Sequence, residues 1–174
     1  MQGRFSTRAL VEAGVAIALA VALSYVKVWK LPQGGSVTAG SMIPIIFVAF
    51  RWGPGVGISA GVVYGLLQFA LEPFFVHPVQ FLLDYPVAFG LLGVAGAFQR
   101  RPAAGAAAGV IGRFLSHLIS GVVFFASYAG NQNVWVYSAI YNGSYLVPEL
   151  VVSVLVMALL AKAFASRGGA VVRG

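Results

Sequence analysis

HPVQFLLDYPVAFGLLG, His77–Gly93, is an apolar run of the length and composition of a membrane helix, and it carries one carboxylate, Asp84, beside an aromatic, Tyr85. A charged group inside a bilayer is costly and faces a cavity, a partner or a substrate rather than lipid. The whole chain holds four Asp and Glu residues, so the place of this one matters. The run therefore predicts a transmembrane helix, with the other helices arranged around a pocket near Asp84.

Composition agrees. The chain is 60% hydrophobic and 9% charged, with a mean hydropathy of +0.91, whereas a soluble domain is about a quarter charged. The fold class is an all-α integral membrane protein. Its 174 residues form one domain, with room for about six spans of roughly 20 residues. Cysteine is absent, which excludes disulfides and thiolate chemistry. No ligand spacing points to a metal. Gly53-Pro54-Gly55-Val56-Gly57 lacks the lysine and the strand–loop–helix setting of a phosphate loop, so the chain is not expected to hydrolyse ATP. A Ser/His/acid triad could be drawn from Ser116, Ser120, His117 and Asp84, but nothing builds a nucleophile elbow, and no enzyme activity is expected.

Six helices are predicted at about 6–26, 37–50, 56–71, 79–98, 103–127 and 137–165. The first is long enough to span and lacks a small-x-small cleavage site, so it is expected to stay. It carries two alanine pairs four apart, Ala16/Ala20 and Ala18/Ala22, which allow close helix approach, either within the bundle or against another membrane subunit. Residues 27–40 read as a long outer loop, with Trp29 as lid residue or interfacial anchor. Pro44 is expected to bend the second helix. Gly57, Gly61 and Gly65 form a smooth packing stripe on the third. Predicted inner segments hold Arg4, Arg8, Arg51, Arg100, Arg101, Lys162, Arg167 and Arg173, while outer ones hold Lys27 and Lys30. Basic residues collect on the cytoplasmic side, so both termini are expected there.

Rise along a helix, about 1.5 Å per residue, gives depth from the outer surface. Asp84 and Gly121 fall at about 9 Å, Asn142 at about 8 Å, Tyr145 at about 12 Å and His117 at about 15 Å; Glu149 lies at about 18 Å and Arg113 at about 21 Å. The deep pair, Arg113 and Glu149, reads as a structural ion pair, with a proton or ion relay as the alternative. The shallower layer lies beneath loops bearing Trp29, Phe74, Phe75, Tyr128 and Trp135. Aromatic faces attract flat rings and cations, a carboxylate supplies counter-charge, and Asn suits a heterocycle edge. Gly121 leaves room for a ring beside the backbone. The chemistry fits a cationic heteroaromatic molecule; the same groups could also satisfy one another as interhelical glue.

Longer stretches carry a family likeness. LPQGGSVTAGSMIPI (Leu31–Ile45), AFRWG (Ala49–Gly53), HPVQFLLDYPVAF, Arg113 with SHLISGVVFFASYAG, and YSAIYNGSYLVPE resemble, in order and over nearly the whole chain, the thiamine-specific substrate-binding (S) component of energy-coupling factor vitamin transporters. The resemblance implies a six-helix bundle in a bacterial cell membrane, high-affinity capture of extracellular thiamine, and assembly with a transmembrane coupling subunit and two cytoplasmic ATPases. It places the family's acidic ligand at Asp84, a glutamate in some members, followed by Tyr85. The family histidine and glycine fall at His117 and Gly121, and the tyrosine and asparagine of the last helix at Tyr137 and Asn142. A stacking tryptophan falls at Trp29; a second is Phe125 here, which loses the indole N–H. Phe74 stands where some members have tyrosine. The alanine-rich face of the first helix matches the family's docking surface. Three other readings stay open: an S component for another vitamin or precursor, such as riboflavin or hydroxymethylpyrimidine; a stand-alone secondary carrier or channel; and a structural membrane subunit with no ligand.

Overall fold

The computed structural model describes residues 6–166. Helix α1, Thr7–Ser24, begins at Ser6, whose hydroxyl accepts from the Ala9 N–H and caps the first turn. The chain then forms an antiparallel hairpin, β1 (Lys27–Lys30) and β2 (Ser36–Thr38). Helix α2, Ile43–Trp52, and α3, Pro54–Leu71, meet at Gly53, which sits at φ +89°, a conformation open to glycine. The segment around Asp84 is a broken helix: α4 (Pro78–Leu82), a π-helical turn (Leu83–Val87), α5 (Ala88–Leu91) and a 3₁₀ turn (Leu92–Phe98). Pro86 lies inside the π turn; it has no N–H, and its ring crowds the preceding turn, which widens the helix there. Helices α6, Pro102–Phe124, and α7, Val134–Ser166, complete the bundle.

Close backbone approach seats the broken helix against α3. A Cβ on Gly61 would lie 2.2 Å from the Phe89 carbonyl oxygen, and one on Gly65 2.5 Å from that of Tyr85. Gly93 answers from the other side, where a Cβ would lie 2.1 Å from the Ile58 nitrogen. The glycine stripe on α3 thus holds the π turn in register with the bundle. At the end away from the hairpin, Glu12 ties α1 to the α2–α3 corner. Its carboxylate accepts from Arg8 Nε at 2.9 Å, Arg51 Nη2 at 3.3 Å and Trp52 Nε1 at 2.8 Å, and it forms an ion pair with Arg51.

Several expectations change. Five helical segments among the described residues are long and apolar enough to cross a membrane; the expected sixth span, 37–50, is not one of them. Its first residues belong to β2, and Gly40, at φ +85°, turns the chain before α2 can start. The 10 residues of α2 cover about 15 Å, half of a bilayer core. Pro44 sits in the first turn of α2, where its missing N–H costs nothing, so it starts the helix instead of bending it. Among the described residues the fold is mostly helical, with one small hairpin that the sequence did not suggest. The four alanines of α1 divide by rotation: Ala16 and Ala20 are buried in the bundle, whereas Ala18 and Ala22 face outward. Three of the residues used for orientation, Arg4, Arg167 and Arg173, lie outside the described residues.

Candidate functional site

The π turn brings Asp84 to a cavity of about 450 Å³ enclosed by the broken helix, α6, α7 and the hairpin. Asp84 Oδ2 accepts from Gln80 Nε2 at 2.7 Å, and Oδ1 lies 3.0 Å from His117 Nδ1. Arg113 Nε donates to His117 Nε2 at 3.2 Å. With Nε2 accepting, the imidazole proton sits on Nδ1 and points at Asp84. The row Gln80–Asp84–His117–Arg113 is then matched donor to acceptor throughout, and both Asp84 oxygens keep lone pairs for a ligand. The Arg113 guanidinium lies over the Phe89 ring, 4.1 Å from its centroid, a cation–π contact.

Aromatic side chains form the walls. Phe74 and Phe125 both line the cavity, with ring centroids 5.8 Å apart. Tyr137, Tyr141 and Tyr145 run along α7 at successive turns, Tyr137 and Tyr141 stacked at 6.3 Å and Tyr145 edge-on to Tyr141 at 6.0 Å. The hairpin seats on this ladder: the Tyr141 hydroxyl accepts from the Gly35 N–H at 3.2 Å, and a Cβ on Gly35 would meet the Tyr145 ring at 2.8 Å. Across the mouth, Lys27 of β1 pairs with Glu72 at the end of α3. Tyr85 fixes the adjoining loop, donating to the Glu72 carbonyl at 3.1 Å and accepting from the Phe74 N–H at 2.9 Å.

The cavity thus gathers Asp84, Tyr85, His117, Gly121, Phe125, Tyr137, Asn142 and Phe74. One expectation differs, and two of these residues also pack the bundle. Trp29 does not line it: a bulge between Lys27 and Trp29 breaks the strand alternation, so Lys27 and Lys30 face the cavity while Trp29 is 55% exposed. Gly121 also serves helix packing, because a Cβ there would fall 2.1 Å from Ser138 Oγ on α7. Asn142 is bound within the bundle, donating to the Ser138 carbonyl at 2.9 Å and accepting from the Tyr145 hydroxyl at 2.8 Å.

The expected Arg113–Glu149 ion pair is not formed. Glu149 Oε1 instead accepts from the Thr38 N–H at 2.5 Å and the Thr38 hydroxyl at 2.6 Å, and Arg113 is held by His117 and Phe89. Similar depth did not bring them into contact, although both line the cavity. Sequence reading missed Gln80, Tyr141 and the Lys27–Glu72 pair. The four-residue spacing of Tyr137, Tyr141 and Tyr145 on an expected helix was the signal for the ladder, since residues at that spacing share a face. Nothing in the sequence pairs Lys27 with Glu72.

Comparison with known proteins gives a consistent answer. A family model described as "Thiamine transporter protein" matches residues 10–167. The thiamine transporter ThiT of Bacillus subtilis (strain 168) is 40% identical over 171 residues, covering 87% of this chain and 88% of that protein. ThiT of Lacticaseibacillus paracasei is 32% identical over 176 residues, covering 87% and 85%. A solved structure of ThiT from Listeria monocytogenes superposes with a TM-score of 0.82 over 95% of this chain and 97% of that one, at 22% identity, which supports the fold. The chain is a multi-pass bacterial membrane protein, and it belongs to the thiamine transporter protein family.

Proposed function

We propose that this protein captures thiamine from outside the cell as the substrate-binding subunit of an ATP-driven energy-coupling factor importer. The observation that carries the reading is the cavity itself: about 450 Å³, aromatic-walled, with the Asp84 carboxylate held in place by Gln80 and His117. Its size falls within the roughly 300–1,000 Å³ of small-molecule sites. Thiamine joins a permanently cationic thiazolium to a neutral aminopyrimidine. Asp84 offers an acceptor to the exocyclic amine, and Phe74, Phe125 and the tyrosine ladder offer faces to the rings. The relatives named thiamine transporters support the same ligand.

The hairpin, closed over the cavity by the Tyr141 and Glu72 contacts, acts as the lid on the outer side, with both termini in the cytoplasm. Coupling to ATP comes from partners. On the outward face of α1, Gly14, Ala18 and Ala22 stand one turn apart and exposed. This stripe docks the transmembrane coupling subunit, which in turn meets two ATPases, while Ala16 and Ala20 pack the bundle.

Calorimetric titration of the purified protein in detergent tests ligand identity. Saturable submicromolar thiamine binding, without riboflavin or hydroxymethylpyrimidine binding, supports the reading. Riboflavin or hydroxymethylpyrimidine binding in its place would move the protein to another vitamin or precursor. Thiamine uptake into liposomes holding this chain alone, driven by a proton gradient, would replace the importer subunit with a stand-alone carrier.

A further inference from the structure

We infer that Glu149 is a second counter-charge, beside Asp84, that favours the cationic ring of the ligand. The inference rests on the thiamine reading above and adds a second acid to it. Glu149 is 3% exposed and lines the cavity. Its Oε1 accepts both Thr38 donors, whereas its buried Oε2 has no hydrogen-bond partner. Among the described residues no Lys, Arg or His nitrogen comes within 4.0 Å of it. Arg113, the cation expected there, is committed to His117 and the Phe89 face. A buried carboxylate with no positive group in contact is costly; Arg113, Lys27 and Lys30 line the same cavity without touching it, and the cost falls further when a cation comes closer. The attraction needs no direct contact, because screening in such a site is weak.

Asp84 stands differently. Both of its oxygens already take neutral donors, Gln80 Nε2 and His117 Nδ1, and its remaining lone pairs suit an amine. Both charges thus favour a cation, and Asp84 in addition holds the hydrogen-bonding ring. Tyr145 and Tyr141, one and two turns from Glu149 on α7, add ring faces that also prefer a cation. Glu149 further joins the site to the lid, since Thr38 belongs to β2.

The test uses two ligands of one shape: thiamine, and its neutral isostere in which a thiophene replaces the thiazolium. Binding of each is measured by calorimetry on the wild type, Glu149→Gln, Asp84→Asn and Thr38→Val. Glu149→Gln is expected to lose at least tenfold in thiamine affinity and to hold the neutral isostere within twofold. Asp84→Asn is expected to weaken both ligands and to keep part of the preference for the cation. Thr38→Val, which removes a neutral donor and leaves the charge, is expected to weaken both alike. Equal losses for the two ligands in Glu149→Gln, or no loss, overturn the inference. So does disappearance of the cation preference in Asp84→Asn, a result that stands even if Glu149→Gln fails to fold. A wild type that binds neither ligand refutes the thiamine reading itself; a wild type that binds both, with a preference untouched by Glu149→Gln, refutes the role of Glu149 alone.

Discussion

Replacing Asp84 by asparagine keeps shape and volume and removes a charge and an acceptor. In the wild type two protein donors converge on the carboxylate, Gln80 Nε2 at 2.7 Å and His117 Nδ1 at 3.0 Å. An asparagine has one oxygen, so one of those donors must face an NH₂ group, and an acceptor for the ligand's amine is lost with it. A hydrogen bond to a charged group is worth about 1.5–3 kcal/mol, and each 1.4 kcal/mol is about a factor of ten in affinity. The expected loss is therefore from about tenfold to somewhat over a hundredfold in thiamine Kd. Part of it could arise from the donor–donor conflict inside the protein, so the double variant Asp84→Asn/Gln80→Leu is the control. Removing Gln80 relieves the conflict, and the double variant should still bind at least about tenfold more weakly than Gln80→Leu alone. Calorimetric titration reads both. Wild-type affinity in Asp84→Asn, or full recovery in the double variant, would refute the reasoning.

Other expectations follow from packing and the lid. Gly61→Ala should lower stability by about 1–3 kcal/mol, read as a lower melting temperature in detergent, because its Cβ would fall 2.2 Å from the Phe89 carbonyl oxygen; an unchanged melting temperature would contradict the close approach. Lys27→Met breaks the pair with Glu72 at the cavity mouth; as a partly exposed ion pair it is worth about 0–1 kcal/mol, so thiamine should leave up to about fivefold faster in stopped-flow, with little change in melting. Ala18→Trp, on the outward face of α1, should abolish uptake by cells while purified protein still binds thiamine. Ala16→Trp, inside the bundle, should instead lower expression and melting temperature, and the opposite pattern would reverse the assignment of the two faces.

Whatever depends on distance along a helix was legible before the structure. The long apolar runs and the glycine stripe at 57, 61 and 65 follow from one-dimensional patterning, because lipid demands length and apolarity and close approach demands small residues. Asp84, His117, Asn142 and Tyr145 were placed in one layer by helical rise alone, and they do share the cavity. The family likeness supplied Phe74, Tyr85, Phe125 and Tyr137, all of which line it.

What lay beyond the sequence concerns rotation and pairing. Helical rise put Arg113 and Glu149 at similar depth but could not say which way each side chain leaves its helix, and that direction depends on which neighbours pack where. The same blindness left the two alanine pairs of α1 equivalent until the bundle buried Ala16 and Ala20. The hairpin escaped notice because its three-residue strand β2 has too little pattern to show alternation, and the bulge that turns Trp29 outward exists only once β1 has a partner. Composition and periodicity thus determined that this is a membrane bundle with an acid at its aromatic centre. Only tertiary packing decided that Glu149 grips the hairpin through Thr38 and keeps an oxygen unpaired, since hydrogen-bond partners 111 residues apart are chosen by the way helices and hairpin meet in space.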